Sequence, residues 1–231
     1  MPLIEAAPVM IGKIKIGGEK ATVVTSIFSK SSVSLLNELQ RGIYNPDFLY
    51  EIRYDLFKQT SVEELRSIFE YLQKRRLNFI FTYRAAGSPL MKELYQLAID
   101  MQAPAIDIDV SSFTGVELES FGGTVILSTH DFQGARVSHM LRAMLKLGGN
   151  IFKLASSYAS SNAFLLDMFD LYTMKEELKV PLAFIPMGER NSALRLFSGY
   201  FLSDIVYARA GQKTAEGQLT RSDYERFFRK F

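Results

Sequence analysis

Short apolar runs rich in β-branched residues recur along the chain at positions 22–28, 49–53, 78–84, 105–109, 124–130, 151–155, 181–187 and 204–209. Between them lie stretches whose apolar residues repeat at helical spacing, among them 32–43, 61–76, 89–102, 134–149 and 160–178. Ser61 followed by Glu64 is a capping-box pattern, and Gly148-Gly149 supplies a stop after the helix that follows the fifth run. Strand-then-helix alternation predicts a parallel sheet, and eight strands is the number at which such a sheet closes. The pattern therefore predicts an α/β fold, a (β/α)8 or TIM barrel, formed as a single domain over residues 1–231. A doubly wound open sheet is the alternative, but it usually carries a Gly-rich first turn, and none follows the first run. Residues 1–20 form an extension, in which 11–16 and 21–24 flank Gly17-Gly18 at the spacing of a β-hairpin.

Composition narrows the chemistry. The chain has 231 residues, 48% of them hydrophobic, enough to bury roughly 70% of its unfolded surface without staples. Lysine and arginine total 27 against 25 acids, too balanced to make nucleic acid or an anionic membrane the expected partner, and Lys74-Arg75-Arg76 reads as a solvated helix end. Cysteine is absent, which excludes disulfides, thiolate metal sites and cysteine nucleophiles. No export signal and no apolar run of membrane-spanning length is visible, so a cytoplasmic location is expected.

In a barrel of this kind the active site lies at the carboxyl ends of the strands. Polar residues gather there: Glu51, Arg53 and Asp55 on the second run, Thr82 and Arg84 on the third, Asp107 and Asp109 on the fourth, Ser128, His130 and Asp131 on the fifth, Lys153 on the sixth. Strand alternation places Glu51 with Arg53, Thr82 with Arg84, and Ser128 with His130 on shared faces, expected to point inward. Lys153 interrupts the run Ile-Phe-Lys-Leu-Ala where a fully covered strand favours another aliphatic. Its side chain is either a snorkelling or salt-bridged lysine, or an amine that attacks a carbonyl to form an imine; Arg53, Arg84 and Arg195 could supply the neighbouring cations that lower its pKa. His130 is either a hydrogen-bonded structural residue or a general acid/base, while His139, within a helix, reads as bland. Arginines 53, 84 and 195 either pair with local acids or clamp a carboxylate or phosphate; the loop 187–192 is not a Gly-rich phosphate cradle, which favours a carboxylate. Two histidines are too few to suggest a zinc site.

Several of these segments occur together in one known family. Glu51-Ile52-Arg53-Tyr54-Asp55, Phe81-Thr82-Tyr83-Arg84, Ser128-Thr129-His130-Asp131-Phe132, Phe152-Lys153-Leu154-Ala155, Met187-Gly188 with Ser192 and Arg195, and Thr214-Ala215-Glu216-Gly217-Gln218 follow one another in an order and spacing that resembles type I 3-dehydroquinate dehydratase. The resemblance runs from the first strand to about Gln218. It implies dehydration of 3-dehydroquinate to 3-dehydroshikimate in the shikimate pathway, without metal or organic cofactor, and dimers are common in the family. Lys153 matches the imine-forming lysine, and His130 matches the histidine that takes the adjacent carbon's proton and protonates the leaving hydroxyl. Arg195 matches the carboxylate-binding residue; Glu51, Arg53, Arg84 and Gln218 match residues around the substrate's hydroxyl and carbonyl groups, and Ser26 and Thr214 complete the set. The chain departs from the family pattern at Ser88, where a Glu beside the histidine is usual, and at Thr214 and Glu216, where Ser and Pro are usual. The missing proline predicts a more mobile loop. A class I aldolase or transaldolase shares the barrel and the lysine, and a weakly catalytic binding or regulatory relative is the remaining alternative.

Overall fold

A computed structural model describes residues 5–27, 29–41, 44–85, 87–111, 118–132, 136–211 and 214–230. Phe28, Gly42, Ile43, Gly134 and Ala135, which fall within predicted elements, lie outside the described residues, as does Ala86. A two-stranded hairpin, β1 (Val9–Ile11) and β2 (Ile14–Ile16), precedes eight strands: β3 (Thr22–Ile27), β4 (Leu49–Arg53), β5 (Asn78–Thr82), β6 (Ala105–Asp109), β7 (Thr124–Asp131), β8 (Ile151–Ser157), β9 (Leu182–Met187) and β10 (Ile205–Arg209). These eight form one sheet in the order β10-β3-β4-β5-β6-β7-β8-β9, every neighbouring pair parallel. Helices α1 (Ser32–Gln40), α2 (Val62–Lys74), α3 (Met91–Asp100), α4 (Val137–Leu145), α5 (Ser161–Leu178), α6 (Ser192–Phe201) and α7 (Arg221–Phe228) cover its outer face. The alternation breaks between β6 and β7, where no helix forms among the described residues.

The hairpin turns five residues earlier than the glycine pair implied. Gly12 makes the turn at φ +59°, a conformation that costs glycine little, and Gly17 instead lies against the backbone of Ala6 and Ala7. In this register Ile11 and Ile16 are both fully buried and plug the amino-terminal end of the barrel.

Strand alternation stacks the interior in layers. Next to the plug each strand contributes one apolar residue: Val24, Leu49, Ile80, Ala105, Ile126, Ile151, Ala183 and Ile205. Two residues further along each strand come Ser26, Glu51, Thr82, Asp107, Ser128, Lys153, Ile185 and Tyr207, so the next layer is almost wholly polar. Outside, α2 buries Leu65, Ile68, Phe69 and Leu72, the i, i+3, i+4, i+7 stripe of an amphipathic helix, each side chain contributing roughly 1.5–3 kcal/mol. Ser61 caps this helix by accepting from the Glu64 backbone N–H at 3.1 Å. The reciprocal half of the expected capping box is absent: the Ser61 N–H donates to Tyr54, and the Glu64 carboxylate accepts from Ser32 Oγ at 2.8 Å, tying α2 to α1.

Side chains help join β9 to β10. Asp204 takes the Leu182 N–H on Oδ2 at 2.8 Å while its own N–H donates to the Leu182 carbonyl at 2.7 Å. Ser203 Oγ accepts from the Phe184 N–H and donates to the Phe184 carbonyl. Lys175 of α5, fully buried, holds this seam: its Nζ lies 2.8 Å from Asp204 Oδ2 and donates to the Leu202 carbonyl at 2.7 Å.

Candidate functional site

The polar layer centres on Lys153, 3% exposed, whose Nζ donates to Asp107 Oδ2 at 2.7 Å and Glu51 Oε1 at 3.1 Å. The ring of Tyr207 lies beneath it, 3.7 Å from Nζ to centroid, a cation–π contact. Ser26 Oγ donates to Glu51 Oε2 at 2.6 Å and Thr82 Oγ1 to Oε1 at 3.1 Å; Ser128 Oγ donates to Asp107 Oδ1 at 2.6 Å. Burial pushes the Glu51 carboxyl up, but Lys153, then Arg53 and Arg84, more than offset it and hold it at about 2. Asp107 is likewise held below the usual carboxylate range, burial being overcome by Lys153 and Arg84 and by the hydrogen bonds from Lys153 and Ser128.

The groups in contact with Lys153 are therefore carboxylates, rather than the three arginines expected to supply neighbouring cations. Each arginine has its own anchor: Arg53 grips Asp55 at 2.7 and 3.0 Å, Arg84 grips Asp107 at 3.0 Å, and Arg195 donates to the carbonyls of Pro186 and Glu216 at 2.9 and 2.8 Å. All three nonetheless line the same cavity. Arg195 is 3% exposed, and burial pushes its guanidinium below the usual value.

His130, on the strand beside Lys153, is held at both ring nitrogens. Nδ1 lies 2.7 Å from Asp109 Oδ2, and Nε2 lies 2.9 Å from Arg84 Nη1. A guanidinium only donates, so Nε2 must accept, which leaves the proton on Nδ1 and the ring neutral. The pKa follows suit: burial lowers it below the usual histidine value, Asp109 raises it, and Arg84 and Lys153 lower it again. Asp109 is held below the usual range despite burial by its bonds to His130 and Ser111. The carboxylate beside the histidine thus comes from β6. Residue 88 is elsewhere, with Ser88 Oγ 3.0 Å from the Tyr83 hydroxyl, and Glu51 is engaged at Lys153.

At the mouth, the loop 214–218 is bonded to the interior. Thr214 donates from both N and Oγ1 to Gln218 Oε1, Gln218 Nε2 donates to Ser26 Oγ at 3.3 Å, and Ser26 reaches Glu51. Gly217 has φ +69°, and a Cβ there would collide with the Gly188 carbonyl, so only glycine lets this loop dock on the loop after β9. The segment for which a missing proline predicts mobility is held by this docking and by Arg195. The cavity, about 390 Å³, brings together Ser26, Glu51, Arg53, Arg84, His130, Lys153, Arg195, Thr214 and Gln218, every candidate read from the sequence. It adds Tyr207, whose hydroxyl is buried without a hydrogen-bond partner among the described residues. Asp107 and Asp109 were visible as strand-end acids, but their partners are visible only once the strands are in register. Among the described residues no three His, Asp or Glu side chains form a metal-binding group.

A parallel barrel with a buried lysine, two carboxylates and a neutral histidine at the carboxyl ends of its strands has the layout of an enzyme for a small polar molecule. The type I 3-dehydroquinase family model matches residues 23–229. The chain is 34% identical over 231 residues to the 3-dehydroquinate dehydratase of Thermoplasma volcanium, covering 100% of this chain and 98% of the relative. It is 31% identical over 229 residues to that of Thermoplasma acidophilum, covering 99% and 98%. Among solved structures it resembles the 3-dehydroquinate dehydratase of Geobacillus kaustophilus with a TM-score of 0.82 at 21% identity, covering 100% of this chain and 98% of the other, a likeness of fold. The chain belongs to the type I 3-dehydroquinase family.

Proposed function

We propose that this barrel acts as one domain that removes water from 3-dehydroquinate to give 3-dehydroshikimate, a hydro-lyase step of the shikimate pathway. The observation that carries the reading is the placement of Lys153 and His130 on paired strands of one cavity, Ser128 being the register partner of Lys153 and His130 that of Ala155. Lys153 first gives up a proton to solvent; its free amine attacks the ketone carbon, and the resulting carbinolamine hydroxyl takes a proton and leaves as water, giving a protonated imine. The C–H bond at the adjacent carbon then breaks, its proton passing to His130 Nε2 and its electron pair moving into the imine as an enamine. The pair returns to expel the hydroxyl, which takes the proton from His130 and leaves as water. Hydrolysis of the imine frees product and lysine, so the scheme draws on side chains alone.

Arg195 holds the substrate carboxylate, being a buried cation whose recorded hydrogen bonds are to backbone carbonyls. Arg53, Arg84, Glu51, Ser26, Thr214 and Gln218 surround the hydroxyl and carbonyl groups. The reading includes a cytoplasmic location and a homodimer; exposed Leu165, Leu166 and Phe169 on α5 supply apolar surface for the latter, and no helix among the described residues is long and apolar enough to cross a membrane. The test is absorbance of the conjugated product on adding 3-dehydroquinate, with borohydride present in a parallel reaction. Expected are product formation and a ligand mass fixed to Lys153. Attachment elsewhere, or no product, refutes the reading.

A further inference from the structure

We propose that Asp109 is the positioning residue for His130, fixing the Nδ1–H tautomer so that Nε2 carries the lone pair that takes the substrate proton. The inference rests on the dehydratase reading above and deepens it. It stands on geometry at both ring nitrogens. Asp109 Oδ2 is 2.7 Å from Nδ1, and its other oxygen is fixed by Ser111, which donates from N at 3.0 Å and from Oγ at 2.5 Å. A carboxylate held on one side by a loop backbone and on the other by an imidazole gives that ring one orientation. Position 88 makes no such contact, because its hydroxyl is engaged with Tyr83.

The other nitrogen explains how the base is kept and then released. Arg84 Nη1 occupies Nε2 at 2.9 Å while Nη2 is anchored on Asp107 at 3.0 Å, so the guanidinium can give up the first contact and keep the second. Its Nε is buried without a partner among the described residues. A substrate oxygen near Arg84 draws Nη1 away and exposes Nε2. When Nε2 accepts the C–H proton, the ring becomes a cation bonded to Asp109 on one side, with Arg84 no longer donating to the other; the proton then leaves on the departing hydroxyl, and the neutral tautomer returns. The charged groups facing the ring are Asp109 and Asp107 from β6, Arg84 from the end of β5 and Lys153 from β8.

The experiment uses nitrogen-15 NMR on the ligand-free enzyme, with His139, exposed on α4, changed to Gln so that His130 is the sole histidine. Expected is an Nδ1–H, Nε2-unprotonated ring; an Nε2–H ring overturns the proposal whatever any variant does. Asp109→Asn should then lower kcat about 100-fold with KM within about threefold, because the acid/base step is lost while binding is kept. It should also move the acidic limb of kcat/KM to lower pH, since the group that favours the imidazolium is gone. Asp109→Glu should restore the limb and most of kcat. Unchanged kcat, or a fall in kcat with the limb and the tautomer unmoved, assigns Asp109 to the scaffold and overturns the proposal. The tautomer is read without substrate, so a wild-type enzyme that makes no product refutes the dehydratase reading separately.

Discussion

Lys153 and Lys175 are both buried and both face carboxylates, yet their partners are shifted in opposite directions. At Lys153 the acids Glu51 and Asp107 are held below the usual carboxylate range, because Arg84, and for Glu51 also Arg53, add to the lysine's charge. At Lys175 burial outweighs a single cation: Asp204 is pushed up and Lys175 itself is pushed down. At the seam one lysine faces the buried carboxylate, whereas at the site two or three cations do. At the seam, burial of both charges opposes their attraction, and Asp204 is also held by the hydrogen bonds it makes to β9. The site's ion pairs are electrostatically favourable and border open space. Burial is common to both lysines; surplus positive charge beside a cavity is found only at Lys153.

The comparison can be broken most sharply by removing each amine. Lys153→Ala should lose at least about 10³ in kcat, about 4 kcal/mol of barrier, and borohydride should label Lys153 and never Lys175. A label on Lys175 would reverse the two assignments. Lys175→Met should leave kcat of the folded enzyme intact but strand Asp204 in the seam, costing about 3–5 kcal/mol in urea unfolding. Arg195→Ala should chiefly raise KM, by roughly 10- to 150-fold for a charge-assisted contact worth about 1.5–3 kcal/mol; an unchanged KM removes it from the site.

Acid titration sharpens the contrast further. Folded Glu51 and Asp107 bind fewer protons than their unfolded counterparts, so their contribution is complete above the ordinary Glu value of 4.5 and fades as pH falls toward about 2. Asp204 has the opposite sign, its raised folded value giving a contribution present at low pH and lost as pH rises through it. The urea midpoint should therefore fall with acid in the wild type and fall less in Glu51→Gln, with no such flattening in Asp204→Asn. The smallest effect is expected at Tyr207: Tyr207→Phe keeps the ring beneath Lys153 and removes a partnerless hydroxyl, so stability should hold or rise by up to about 1 kcal/mol in the same assay.

Lys153 could be read from the sequence because it broke an apolar strand; Lys175 could not, because Met-Lys-Glu-Glu-Leu at the end of an amphipathic helix reads as a solvated turn. The eight strands were legible to within one or two residues, since alternation and run length are local signals. The hairpin turn was not, because two glycine positions competed and packing of Ile11 and Ile16 decided between them. The same limit applies to Asp109: its position on a strand end was plain, but its partner is 21 residues away and depends on the register between β6 and β7. The run of a strand can be anticipated from the chain, while contacts between strands wait for the fold.

The plug formed by Ile11 and Ile16 covers the end of the barrel opposite the site. Eight aliphatic or alanine side chains, one from each strand, lie between that plug and Lys153, and they offer water no polar foothold on the way in. Substrate, product and the water that hydrolyses the imine all share the mouth framed by Arg195 and the loop 214–218. The loop that accepts a hydrogen bond from Arg195 also forms part of that mouth.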